Sequence, residues 1–174
     1  MAPRARSRAG GSPHDDDRHG VGRHRTGVLL VASSGGHLTQ LVALSPWWNR
    51  HRRTWVTFND VQATSLLAGE DVTWAFGPTT RNIPNLLRNT VLAARMLAHE
   101  RPALIVSTGA GVAVPFLVLG WLLRVPTAFI EVYDRVEMPT LTGRLVRPFA
   151  TAILVQWPEQ LASYPDAVMV GPLL

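Results

Sequence analysis

Val28-Leu29-Leu30-Val31-Ala32-Ser33-Ser34-Gly35-Gly36-His37-Leu38 is the stretch on which the fold turns. An apolar run stops at two serines and two glycines, a histidine follows, and apolar residues then recur at helical spacing at Leu38, Leu41 and Leu44. That is the pattern of a buried parallel strand, a tight turn and the start of a helix. Glycines in such a turn let the backbone approach a ligand closely. The N–H groups opening the helix face that ligand with roughly half a positive charge behind them. The stretch predicts an anion site with a titratable ring beside it.

The same unit recurs downstream. Residues 103–106 read as a strand running into Ser107-Thr108-Gly109-Ala110-Gly111, a second small-residue turn, and then into an apolar helix over 112–123. Pro115 falls in the first turn of that helix, where its missing N–H does no harm. Two helix N-termini at one edge of a parallel sheet face a common crevice, where ligands bind in open α/β sheets. Around these units, alternating β-branched and aromatic residues predict strands at 27–32, 54–58, 72–76, 127–132, 151–156 and 167–170. Helices are expected at 37–44 (stopped by Pro46), 62–67, 86–98, 140–146 and 159–163, the third burying Leu86, Leu87, Val91, Ala94 and Leu97 on one face. A repeating β–α order with short loops argues for an α/β fold, a single Rossmann-like domain with a mostly parallel sheet.

A length of 174 residues suits one domain with a sizeable core, and 47% hydrophobic against 17% charged residues makes its body rather apolar. The chain has no cysteine, which excludes disulfides and thiolate metal sites. Of the formal net charge of +5, residues 1–25 carry +3, which leaves the body only mildly basic. No run of clustered arginines with interleaved aromatics marks a nucleic-acid face, so no nucleic-acid partner is expected. Residues 1–26, poor in apolar side chains, read as a disordered Arg-rich tail, and residues 27–174 as the folded domain. His14, His19 and His24 with Asp15, Asp16 and Asp17 fit no compact metal spacing.

The longest apolar run, 112–123, is interrupted by Pro115 and Gly120 and falls short of the roughly 20 residues of a spanning helix. No signal-peptide core opens the chain. The expected location is therefore cytoplasmic, with attachment to a membrane surface left open. Two features bear on attachment. Trp47 and Trp48 beside Arg50, His51, Arg52 and Arg53 suit either a membrane interface or a capped core, the core being slightly preferred. Arg81, Arg88 and Arg95, spaced by seven, form either a lipid-facing basic stripe or an ordinary solvated helix face.

Several chemistries drop out. The first turn lacks Gly-x-Gly-x-x-Gly spacing, because His37 and Leu38 follow Gly36, and no acidic residue stands at the end of the second strand to bind a ribose. Without lysine there is no Walker-type phosphate loop, and no Gly-x-Ser-x-Gly elbow occurs. Two Gly-rich turns suited to phosphates or diphosphates remain, with His37 at one helix start. His37 is either a general base, contributing on the order of 10²–10⁴-fold in rate, or a ring that only caps the helix or binds ligand. Glu131 lies at a strand end beside Asp134 and Arg135. Two carboxylates without a histidine make a poor metal site, and a loop salt-bridged through Arg135 or Arg144 is the expectation. Neither a metal nor a cofactor is called for.

These motifs resemble those of known glycosyltransferases. Ser33-Ser34-Gly35-Gly36-His37 resembles the first glycine loop of GT-B glycosyltransferases of the MurG type, and Ser107-Thr108-Gly109-Ala110-Gly111-Val112-Ala113-Val114-Pro115 their second. Phe129-Ile130-Glu131-Val132-Tyr133-Asp134-Arg135, Pro139-Thr140-Leu141-Thr142-Gly143-Arg144-Leu145-Val146 and Val155-Gln156-Trp157-Pro158-Glu159-Gln160 are more specific. They resemble bacterial polysaccharide-biosynthesis subunits related to the ALG-family anchoring subunit of the eukaryotic UDP-N-acetylglucosamine transferase. The resemblance covers about residues 27–174.

The resemblance implies the N-terminal, acceptor-side half of a GT-B fold, paired with a separate catalytic chain that binds the nucleotide sugar. It implies inverting transfer to a polyprenyl-diphosphate-linked saccharide for exopolysaccharide or capsule, at the cytoplasmic face of the plasma membrane and without a bound metal. The alternative it leaves is a non-catalytic adaptor that only anchors and stabilises the partner. Carried over by position, His37 matches the histidine thought to act as base, and Glu131 an acidic position of the acceptor cleft. Ser34, Gly35, Gly36, Thr108, Gly109, Ala110 and Gly111 fall in the loops facing the diphosphate. The eukaryotic subunit's N-terminal membrane helix has no counterpart in the polar residues 1–25, so membrane contact is expected through surface residues such as the Trp47-Trp48 and Arg88-Arg95 regions, or through the apolar helix from Val112. Only one Rossmann-like half is expected from this length.

Overall fold

The structure, a computed structural model, describes residues 27–174; the Arg-rich segment and its three histidines lie outside the described residues. The chain runs β1 (Val28–Ala32), α1 (Gly36–Ala43), α2 (Ser45–Trp48), β2 (Arg53–Phe58), α3 (Val61–Leu66), β3 (Val72–Ala75), α4 (Ile83–Glu100), β4 (Leu104–Gly109), α5 (Ala113–Leu122), β5 (Thr127–Ile130), α6 (Leu141–Val146), β6 (Ala152–Val155) and β7 (Val168–Met169). Short 3-10 helices at Arg147–Phe149 and Pro158–Ala162 flank β6.

All seven strands join one sheet in the order β3-β2-β1-β4-β5-β6-β7, and every pairing is parallel. The order winds outward in both directions from the β1–β4 pair, so the topological switch point lies between those two strands. Every residue of β1 is buried because helices cover both sheet faces, which is why its sequence is a continuous apolar run rather than an alternation. Leu29 and Val31 pack with Ala93 and Met96 of α4 and Phe116 and Leu117 of α5 on one face. Leu30 and Ala32 pack with Leu38 and Leu41 of α1, Trp48 and Trp55 on the other.

The Rossmann-like parallel α/β domain is as expected, with two corrections that matter for the site. Ser107, Thr108 and Gly109 belong to β4 and are not a turn: Ser107 pairs with Val31 and with Phe129, so neighbours on both sides carry the strand further than its apolar run. The second loop therefore starts at Ala110.

The second correction concerns α4, which buries the opposite face from the one expected. Ile83 (70% exposed), Leu87 (61%) and Val91 (51%) point outward, and Asn85 and Asn89 are buried instead. The reason is the loop after β3. Asn89 Oδ1 accepts from the Phe76 N–H, its amide donates to the Phe76 carbonyl, and the Asn85 amide donates to the Pro78 carbonyl, each at 2.9 Å. Two asparagines thus satisfy backbone groups that no strand or helix pairs. Leu97 alone of the expected core leucines is fully inside. Pro46, expected only to stop α1, sits in the first turn of α2.

Candidate functional site

The carboxyl ends of β1 and β4 form the floor of the crevice. After Ala32 the chain turns through Gly35 at φ +83°, a left-handed conformation that favours glycine, and enters α1 at Gly36. No side chain caps α1, so its first-turn amides are presented to the crevice. The Gly35 N–H is held by Gln62 Oε1 at 2.8 Å, which fixes the loop against α3.

His37 joins the two glycine loops. Its Nδ1 lies 2.7 Å from the Thr108 carbonyl oxygen, and the Thr108 hydroxyl donates back to the His37 carbonyl at 2.7 Å. A carbonyl only accepts, so Nδ1 carries a proton, and the neutral ring bears its lone pair on Nε2. The ring is thus oriented by one nitrogen and offers the other. Gly109, at φ +114°, makes room for it: a β-carbon there would stand 3.2 Å from His37 Cε1. Ala110 continues the loop at φ +68°, and a β-carbon on Gly111 would lie 2.9 Å from Thr79 Oγ1. Ser34, Gly35, Gly36, His37, Thr108, Gly109, Ala110 and Gly111 therefore gather at the switch point.

Glu131 stands apart from them. It is fully buried, and its carboxylate accepts from Tyr164 Oη at 2.6 Å, the Thr140 N–H at 3.2 Å, the Thr140 hydroxyl at 3.3 Å and the Val132 N–H at 3.1 Å. Burial and the Glu131 carboxylate push the Tyr164 phenol up, so it stays a proton donor. The expected ion pair with Arg135 or Arg144 is not formed; hydroxyls and amides satisfy the carboxylate instead. Among the described residues no group of three or more His, Asp or Glu side chains could hold a metal ion.

Three glutamines, absent from the sequence reading as site residues, hold the loop after β5. Gln40 Oε1 accepts from the Tyr133 N–H and from the Gln156 amide, and Gln160 donates to the Val132 and Arg135 carbonyls. Their signal was the Gln156-Trp157-Pro158-Glu159-Gln160 run itself, with two glutamines four apart flanking a proline-started turn. Asp60 was also passed over. It follows the end of β2 by two residues, where an acidic residue was thought absent, and caps α3 by accepting from the Ala63 N–H at 2.8 Å. The Ser34 hydroxyl beside it and the Ala63 and Gln62 amides hold its carboxyl below the usual range.

Of the three surfaces considered for membrane contact, Trp48 is buried, its Nε1 donating to the Leu41 carbonyl and its ring edge-on to Trp55, while Trp47 is partly exposed beside His51. The helix α5 is buried at Ala113, Pro115, Phe116, Leu117 and Gly120, half-buried at Val114, Val118 and Leu119, and exposed at Trp121, Leu122 and its cap Leu123. The outward stripe of α4 exposes Ile83, Leu87 and Val91, and Arg88 and Arg95 lie exposed along one flank of it. No helix among the described residues is long and apolar enough to cross a membrane.

Residues 77–173 match the family described as "Oligosaccharide biosynthesis protein Alg14 like". The chain is 23% identical over 188 residues to the UDP-N-acetylglucosamine transferase subunit ALG14 of Mus musculus, covering 90% of this chain and 87% of that one. It is 31% identical over 134 residues to the UDP-N-acetylglucosamine--N-acetylmuramyl-(pentapeptide) pyrophosphoryl-undecaprenol N-acetylglucosamine transferase of Roseiflexus sp., 76% of this chain but 27% of that protein. In structure it is similar to Acinetobacter baumannii MurG, with a TM-score of 0.66 at 16% identity, over 83% of this chain and 44% of MurG. The fold is thus that of the N-terminal domain of a GT-B enzyme, and the chain spans less than half of that solved protein.

Proposed function

Because the chain belongs to the Alg14-like family of oligosaccharide biosynthesis proteins, we propose that it is the acceptor-side subunit of a two-chain inverting glycosyltransferase. In this reading residues 27–174 are one acceptor-binding domain, and a separate catalytic chain holds the nucleotide sugar. The acceptor is a polyprenyl-diphosphate-linked saccharide destined for exopolysaccharide or capsule. Its diphosphate sits on the first-turn amides of α1 at Gly36 and His37 and against the turn at Ala110 and Gly111, where two helix N-termini favour an anion. Gly35 and Gly109, whose N–H groups are held by Gln62 and Ser107, shape the floor. The observation that carries the reading is the orientation of His37 by Thr108, which leaves Nε2 as a proton acceptor in the crevice.

The chemistry follows. The acceptor hydroxyl oxygen bonds to the anomeric carbon of the donor sugar, the bond from that carbon to the nucleoside diphosphate breaks, and the nucleoside diphosphate leaves with the electron pair. Nε2 of His37 takes the hydroxyl proton as the new bond forms. Glu131 is assigned a positioning role, holding the start of α6 and Tyr164 against β5.

The subunit works from the cytoplasmic face of the plasma membrane, seated peripherally by the outward stripe of α4. An apolar stripe with arginines on one flank suits an anionic lipid surface. Leu87→Glu with Val91→Glu should abolish co-flotation with vesicles of one-third phosphatidylglycerol while leaving thermal stability unchanged, since both side chains are exposed. Undiminished flotation would remove α4 from the membrane contact. A non-catalytic adaptor is the second reading, favoured by the same stripe, which anchors without any chemistry.

Reconstitution separates the two. The full chain and its nucleotide-sugar-binding partner, combined on vesicles carrying a polyprenyl-diphosphate saccharide, should transfer sugar only when both are present. Full transfer by the concentrated partner alone would establish the adaptor.

A further inference from the structure

Beside the glycine loops lies a hollow of about 630 Å³, within the roughly 300–1,000 Å³ of small-molecule sites. It opens at the carboxyl ends of β1, β2 and β3, and its lining includes Ser34, Phe58, Asn59, Asp60, Thr79 and Thr80. We infer that this hollow is a saccharide pocket that holds and selects a sugar ring of the acceptor, with Asp60 as the hydroxyl-binding carboxylate. The inference deepens the reading above and rests on it for the acceptor being a lipid-linked saccharide.

Four observations carry it. First, the lining combines hydroxyls, an amide and a carboxylate, the donor and acceptor set of a polyol site, with an apolar part at Phe58, Ala75 and Pro78 that suits the C–H side of a pyranose. Second, its charge excludes the neighbouring ligand class. Among the described residues Asp60 is the one charged residue of the lining, and Ser34 and the α3 amides favour its ionised form. A phosphate placed there meets a carboxylate, whereas a neutral polyol donates to it.

Third, Asp60 has capacity to spare. The Ser34 hydroxyl and the Ala63 and Gln62 N–H groups take three of the about four lone-pair sites of an ionised carboxylate, which leaves one for a ligand hydroxyl. A carboxylate just past the end of β2 is also where doubly wound dinucleotide folds bind the hydroxyls of a ribose. Fourth, the hollow is built rather than left over. Gly77 packs on the Phe58 ring so closely that a β-carbon would lie 3.0 Å from Cδ1, and Thr79 fills the space that Gly111 leaves open. Asn85 and Asn89 pin the backbone of the same loop. The pocket thus shares Ser34 and Ala110 with the crevice, so one ligand can reach from the glycine loops into it.

The test is amide-shift NMR on the ¹⁵N-labelled full chain, titrated separately with methyl glycosides of glucose, galactose, mannose and N-acetylglucosamine, with UDP and with inorganic pyrophosphate. At least one glycoside should move the amides of Asn59, Asp60, Thr79 and Thr80. Asp60→Asn, which keeps an α3 cap, should weaken that glycoside about tenfold, the loss expected for one charge-assisted hydrogen bond, and the exposed Thr80→Val about threefold, that of a neutral one. Their otherwise intact spectra report that both variants fold. The proposal is overturned if no glycoside moves these amides, if the variants bind as tightly as the parent, or if UDP or pyrophosphate binds there instead. Pyrophosphate shifts confined to Gly35, Gly36, His37, Gly109 and Gly111 test the diphosphate reading separately, so that reading and the pocket can fail independently.

Discussion

His37→Ala in the reconstituted two-chain enzyme should lower kcat by roughly 10²–10⁴-fold, the contribution of a positioned general base, and should leave KM for the acceptor nearly unchanged. The split follows from the geometry. Diphosphate binding is assigned to backbone amides, which the substitution leaves in place, and the acceptor hydroxyl meets only Nε2. A ring that merely caps α1 or binds ligand would raise KM instead. Gly109→Ala should reproduce much of the loss without touching the histidine. It puts a β-carbon 3.2 Å from His37 Cε1 on a backbone at φ +114° that side chains rarely adopt. Full kcat in the His37→Ala complex would remove the base and leave the adaptor as the better account.

How much of this was legible in advance depended on whether a residue's partner lay within its own segment. The strand, glycine turn and helix at Val28 to Leu38 is a local pattern with local physics, and its reading survived intact together with the parallel sheet that its repetition implies. The clamp of His37 on Thr108 was not readable, because it spans 71 positions and depends on β4 extending beyond its apolar run. The apolar face of α4 failed for a related reason. Periodicity located a stripe at Leu87 and Val91 but carried no sign for which way it faces, and the sign was set by Asn85 and Asn89 satisfying a distant loop. Asp60 was missed because a capping aspartate at a strand–helix junction is usually local punctuation. Its neighbours across the hollow, Thr79 and Thr80, come from the turn after β3.

Glu131→Ala should destabilise the domain by about 3–5 kcal/mol, since several buried donors lose their acceptor at about 1–3 kcal/mol each. At roughly 2–4 °C per kcal/mol for a domain of this size, Tm should fall by about 6–20 °C. The loss comes from what the carboxylate leaves behind. The Tyr164 hydroxyl, the Thr140 N–H and hydroxyl and the Val132 N–H all donate to it, and truncation takes away their acceptor at a site that is 0% exposed. Glu131→Gln should cost less, since an amide oxygen still accepts from Tyr164 and Thr140 while its NH₂ opposes the Val132 N–H. Gly143→Ala attacks the same network from the other side. Its β-carbon would overlap the Tyr164 hydroxyl and approach Glu131 Oε2 to 2.5 Å, so it should fall with Glu131→Ala in Tm. Activity then decides what kind of residue Glu131 is. If it only positions α6 and Tyr164, kcat of Glu131→Gln should track the folded fraction, rise on cooling and leave the pH profile of the parent in place. A Glu131→Gln complex with the parent's Tm and a hundredfold lower kcat would return the carboxylate to the chemistry and require the acceptor cleft to open onto β5.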